Sequence, residues 1–215
     1  MITEVVLPTT VGRARLLVGN VKGARGLLIL GHGAGTGART PDLELIADGI
    51  DGVAIIRMEQ PWVVSGRQIA PASHLLDEAW LDVLQKRNTW LPAAAAALPL
   101  ILGGRSTGAR VACRTALPLG AVGVLALSFP LHAPKKTNRR RDSELEIILG
   151  AGLPLHVIQG DKDGFGTPAE FNGVDVTVVP GRGHELLRSR DDEHAAIVKA
   201  AARDFAIRVL SLGNN

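Results

Sequence analysis

The chain has 215 residues, 46% of them hydrophobic and 21% charged, which suffices for one substantial core and is short for two. With 24 Lys and Arg against 21 Asp and Glu, the formal net charge is +3, a mild basic balance that does not call for a nucleic-acid partner. Aromatic residues amount to 3% with no Tyr, which argues further against recognition of bases by stacking.

The amino terminus, Met1-Ile2-Thr3-Glu4-Val5-Val6, lacks a basic stretch followed by an apolar segment and a small-residue cleavage site, and no apolar run reaches membrane-spanning length. The expectation is a soluble, cytoplasmic protein, one globular domain over 1–215, without a membrane partner.

In chain order, residues 13–18 and 27–30 are the first strand candidates and read as an antiparallel lead-in hairpin. Residues 53–57 form a third apolar run, and Ser73 then precedes Leu76, Ala79, Trp80 and Val83 at helical spacing, with Asp77 and Glu78 placed in the first turn. The simple stretch 91–97 reads as a loop or loose turn, leading into a fully buried strand at 98–102. Ala109, Ala112, Cys113 and Ala116 give the small-residue face of a helix that Pro118 stops. Cys113, the sole cysteine, is thus a packed thiol rather than a reactive one.

Strand candidates follow at 122–127, 155–159 and 174–179, and Asp191-Asp192 open a helix whose inner face is Val198, Ala201, Ala202, Phe205 and Val209. Strands alternating with helices predict an α/β class with a mostly parallel sheet flanked by helices. Between 127 and the next helical stretch, residues 135–141 carry five positive charges. This run is either a solvated loop or the mouth of a site that attracts acidic substrates.

The strongest local signal is Gly104-Arg105-Ser106-Thr107-Gly108 between an apolar strand and a helix. Such a turn is too sharp for side chains two positions either side of the serine, and the two glycines remove them. A nucleophilic serine also needs an imidazole base and a carboxylate to orient it. Gly160-Asp161-Lys162-Asp163-Gly164 places a carboxylate, Asp163 or Asp161, beyond the end of one strand; Pro180-Gly181-Arg182-Gly183-His184 places an imidazole beyond the next. His156, His194 and His74 sit within a strand, at a helix start and in a first turn, and read as structural or exposed. Gly31-His32-Gly33-Ala34-Gly35 can turn tightly enough to aim the Ala34 amide at a developing oxyanion, with the Thr107 amide as its partner.

A competing reading takes Gly33-Ala34-Gly35-Thr36-Gly37-Ala38 as a dinucleotide pattern, with Glu59 at the end of the next strand. It would leave the serine turn and the Asp163 and His184 loops as three unrelated coincidences. No cysteine–histidine cluster and no phosphate-loop pattern stand in the sequence, so neither a metal nor another cofactor is expected.

Together, His32-Gly33-Ala34-Gly35, Gly103 to Arg110, Gln159 to Asp163 and Gly183-His184 resemble the α/β-hydrolase superfamily across nearly the whole chain. Gly-Gly-Arg-Ser, Phe129-Pro130-Leu131-His132 and Asp163-Gly164-Phe165-Gly166 are similar to its small lidless group, related to dienelactone-hydrolase-like proteins and testis-expressed protein 30. The resemblance implies an α/β-hydrolase fold with no separate lid domain and hydrolysis of a small ester, thioester or related acyl substrate. It implies Ser106 as nucleophile, His184 as base and, of the two carboxylates, Asp163 as orienter, with Ala34 and Thr107 amides at the oxyanion and His32, Trp62 and His132 as rim contacts. Related proteins also include members of chromatin-associated assemblies, which keeps a non-enzymatic scaffold as the alternative.

Overall fold

The computed structural model describes residues 2–133, 140–188 and 192–212. The chain runs through β1 (Thr3–Thr9), β2 (Gly12–Val18), β3 (Gly26–Gly31), α1 (Pro41–Ala47), β4 (Val53–Glu59), α2 (Pro61–Val64), α3 (Ser73–Gln85) and α4 (Ala93–Ala96). It continues through β5 (Leu100–Arg105), α5 (Thr107–Thr115), β6 (Gly123–Leu127), α6 (Asp142–Gly150), β7 (Leu155–Gly160), β8 (Asp175–Val179) and α7 (Asp192–Leu212).

All eight strands join one sheet in the order β1-β2-β4-β3-β5-β6-β7-β8. β1–β2 and β2–β4 pair antiparallel, and every pair from β4 to β8 is parallel. The hairpin expected between 13–18 and 27–30 is therefore displaced: β2 pairs with β1 on one side and β4 on the other, while β3 lies in the parallel interior. β1 escapes the sequence pattern because it lies at the sheet edge, half exposed along its length.

The central strands are apolar on both faces because helices cover both faces. Successive residues alternate between two cores: Leu27, Ile29, Leu100, Leu102, Val124 and Ala126 pack with α3, α5 and α6. Leu28, Leu30, Ile101, Leu125 and Leu127 pack with α1 and α7 on the other side. Trp80 of α3 and Phe205 of α7 are the large buried anchors of the two layers, each burial stabilising by about 1.5–3 kcal/mol. The parallel strands all end on one edge, where the site residues gather.

Two local expectations need correction. Residues 93–96 form the single-turn helix α4, with Ala95 and Ala96 buried, rather than a loose loop. Asp77 and Glu78 lie beyond the first turn of α3, whose cap is Ala72; Asp77 instead forks with Arg114 of α5 at 2.7 and 2.8 Å. Most of the basic run, 135–139, lies outside the described residues, as does Asp191. Arg140 pairs with Asp142 and Glu170, and Arg141 donates to the Pro130 and His132 carbonyls, so the end of the run braces its own loop. No helix among the described residues is long and apolar enough to cross a membrane.

Candidate active site

Ser106 sits between β5 and α5 with φ 53° and ψ −111°, a backbone state that non-glycine residues rarely adopt. Its N–H donates to the Leu127 carbonyl at 2.9 Å, and its carbonyl accepts from Arg110 N–H at 3.2 Å, so both sides of the turn are held. The flanking glycines answer a close approach to β3. A Cβ at Gly104, where φ is 152°, would lie 2.5 Å from Gly31 O; one at Gly108 would lie 2.4 Å from Gly31 C and O. The serine turn is thus wedged against the end of the strand that feeds the Gly33–Gly35 loop.

His184 reaches the serine from the loop after β8. Its Nε2 lies 2.9 Å from Ser106 Oγ and its Nδ1 2.9 Å from Asp163 Oδ2. With Nδ1–H donating to the carboxylate, Nε2 is left with the lone pair that accepts the serine hydroxyl proton, one consistent tautomer for the chain of three groups. The Asp163 side chain is fully buried while that of His184 is 25% exposed, so the acid is sheltered and the imidazole opens toward solvent. Phe165 packs edge-on to the His184 ring at 4.7 Å.

Two groups besides His184 hold Asp163 as an acceptor. Phe165 N–H donates to Oδ1 at 2.8 Å, and Gln159 Nε2 donates to Oδ2 at 2.9 Å while also reaching Gly166 O at 2.8 Å. Asp161, the other carboxylate of this loop, is exposed and does not touch His184.

On the opposite side, Gly33 passes so near the turn that a Cβ there would lie 3.4 Å from Ser106 Cβ. Among the described hydrogen bonds, neither the exposed Ala34 N–H nor the Thr107 N–H at the start of α5 has an acceptor.

Arg105, which the sequence reading quoted only as part of a motif, ties this region together. Its Nε forms a buried ion pair with Asp42 Oδ2 at 3.1 Å, and its Nη2 donates to the His184 carbonyl at 3.1 Å. Asp42 is fixed in turn by Thr40 Oγ and Leu43 N–H. One side chain thereby links the serine turn, the start of α1 and the histidine loop.

The three rim candidates differ in exposure. His32 is 1% exposed, with Nδ1–H donating to Gly33 O at 2.9 Å and Nε2 accepting Gln60 N–H at 3.0 Å. Burial pushes its pKa below the ordinary value, which suits a neutral ring already donating once and accepting once. Trp62 is 4% exposed and lies against His32 at 4.9 Å, so the two rings back the Gly33–Gly35 loop from within. His132 is half-buried and bonded to Glu170 Oε2 at 2.6 Å.

The dinucleotide pattern finds no matching geometry. Residues 33–38 form a loop and α1 begins only at Pro41, while the Glu59 carboxylate is taken up by Arg15 at 3.2 Å and Ala38 N–H at 3.3 Å. Among the described residues, no group of three or more His, Cys, Asp or Glu could hold a metal ion.

Solved structures match this architecture over nearly its full length. A lidless α/β serine hydrolase from Xanthomonas campestris matches with a TM-score of 0.71 at 16% identity, covering 96% of this chain and 94% of its own. A dienelactone hydrolase from Anabaena variabilis gives 0.68 at 16% identity, with 96% and 98% covered. A thermostable carboxyl esterase from Bacillus coagulans gives 0.71 at 15% identity, with 97% and 99% covered. At such identities the likeness is one of fold. A search of curated protein sequences finds no significant match. The sequence model of the alpha/beta hydrolase domain matches residues 24–205, most of the chain and every residue from the Gly33 loop to His184, and the protein therefore belongs to the alpha/beta hydrolase domain family.

Proposed function

We propose that the protein is a serine hydrolase that cleaves a small ester, thioester or related acyl compound. The observation that carries this reading is the unbroken hydrogen-bond chain Ser106 Oγ, His184 Nε2, His184 Nδ1, Asp163 Oδ2 on the strand-end edge of the sheet. In the reaction Ser106 Oγ attacks the acyl carbonyl while His184 Nε2 takes its proton, and Asp163 stabilises the imidazolium without itself becoming protonated. Ala34 and Thr107 N–H groups receive the oxyanion, each donor of this kind contributing about 2.7–4 kcal/mol to transition-state stabilisation. Collapse expels the alcohol or thiol with the proton from His184. Water, deprotonated by the same imidazole, then releases the acid and restores the serine.

The described residues between Leu131 and Gly152 form only the loop and α6, which supports an open cleft suited to small or surface-presented acyl groups. The test is hydrolysis of a panel of short-chain p-nitrophenyl esters and acyl thioesters. Ser106→Ala and His184→Ala should each lower kcat/KM by about 10⁴-fold or more with the melting temperature retained, because the three groups act as a unit. Turnover that survives in the Ser106 variant would rule the mechanism out. A folded wild type inert to the whole panel would favour use of the fold as a scaffold.

A further inference from the structure

One cavity of the fold is not lined by Ser106, His184 or Asp163. It has a volume of about 350 Å³ and lies between the start of β2, α2 and the start of α3, within the range that accommodates small ligands. Its walls are largely apolar, formed by Val11, Pro61, Trp62, Val64, Leu75 and Leu76, and no Asp or Glu lines it.

Arg13 and Arg67 both line this cavity. Both residues are exposed, and among the described residues neither guanidinium has a hydrogen bond or ion pair. Arg15, two residues further along β2, is by contrast paired with Glu59. Two unpaired cations beside an apolar, carboxylate-free cavity are complementary to a molecule with one anionic end and an apolar body.

Trp62 Nε1 and Gln60 Oε1 are buried with no partner among the described residues, although Trp62 is 4% and Gln60 2% exposed. Both atoms are closed to water, so they belong to the packed side of the wall and not to its open face. Ile69, 83% exposed, stands two residues beyond Arg67 in the segment that joins α2 to α3.

We propose that this cavity binds a small amphipathic carboxylate, an organic acid whose aryl or short acyl body lies against Trp62, Leu75 and Leu76 and whose carboxylate pairs with Arg13 and Arg67. A bare inorganic anion would leave the apolar walls unused, and a neutral amide would leave both cations unpaired. The inference does not depend on the chemistry at Ser106. The site nevertheless contacts the Gly33 loop, because Gln60 N–H donates to His32 Nε2 and Trp62 packs on the same ring.

The test uses Ser106→Ala protein, so that binding is read apart from turnover. Equilibrium dialysis with labelled hexanoate and phenylacetate, alongside titration of tryptophan fluorescence, should show saturable binding whose fluorescence change is lost in Trp62→Phe. Arg13→Ala and Arg67→Ala should each weaken binding about threefold or more, and the double variant about tenfold. Hexanamide and inorganic phosphate should bind at least about tenfold more weakly than hexanoate. Absence of saturable binding would overturn the proposal, as would phosphate binding as well as hexanoate. So would binding that ignores both arginine substitutions but disappears when Ser106 of the wild type carries a phosphonyl adduct, since that result would put the acid at the serine.

Discussion

Ser106 keeps its strained backbone because the groups around it leave no alternative: Leu127 O and Arg110 N–H hold its two peptide groups, and the end of β3 presses against both flanking glycines. The same over-determination extends to Arg105. Its guanidinium is 9% exposed and the Asp42 carboxylate 3%, so removing one partner strands the other charge away from water. Arg105→Met should therefore destabilise the fold by about 3–5 kcal/mol, measured by denaturant unfolding. It should also lower kcat more than KM, because the His184 carbonyl loses its donor, and Arg105→Lys should restore part of both. Loss of stability with an unchanged kcat would make Arg105 a purely structural residue. Ser106, His184 and a carboxylate at 161 or 163 were legible in the sequence because each stands in a glycine-marked turn just past a strand, while the choice of Asp163 came from the family resemblance. Arg105, Gln159 and Phe165 were not, since their contacts to Asp42, Asp163 and His184 join segments that only the fold brings together. The burial of His32 and Trp62 was equally hidden, because packing draws these polar or amphipathic residues inside.

Among the elements, the interior strands could be read directly because they are apolar on both faces, and the observed β3, β5, β6 and β7 differ from the expected spans only at their ends. β1 could not, because an edge strand with one face in solvent carries Thr3, Glu4, Pro8 and Thr9 and lacks a continuous apolar run. Its absence from the reading also misassigned β2, whose antiparallel partners are β1 and β4. The contact between β3 and α5 makes the sharpest prediction at this scale. Gly108→Ala places a methyl 2.4 Å from Gly31 backbone atoms, and neither segment can yield without opening the serine turn. The variant should lose about 1–3 kcal/mol or more, seen as about 2–4 °C in Tm per kcal/mol, and the proposed hydrolysis of the ester panel should fall disproportionately. A variant with wild-type stability would show that β3 and α5 are less tightly apposed.

For the molecule as a whole, the parallel sheet gathers loops distant in sequence on one edge, and the buried polar network beneath them sets a pH limit. His32 is held neutral, with its pKa below 6.5, while in the unfolded chain it would titrate near that value. The unfolded state thus binds the extra proton first, so His32 favours folding above about pH 6.5 and loses that contribution as the pH falls below it. The wild-type Tm should drop more steeply than that of His32→Asn between pH 6.5 and 5, whatever the absolute offset between the two proteins. Parallel curves would mean that the imidazole is not kept neutral by burial.

The central claim, that Ser106 is a nucleophile activated by His184 and Asp163, is tested most directly by covalent capture. Wild-type protein treated with a fluorophosphonate should gain one phosphonyl group, located by peptide mass spectrometry on Ser106. The rate should fall by orders of magnitude in His184→Ala, and the adduct should be absent in Ser106→Ala. Folded wild-type protein that takes up no label, or takes it up at another residue, would contradict the account.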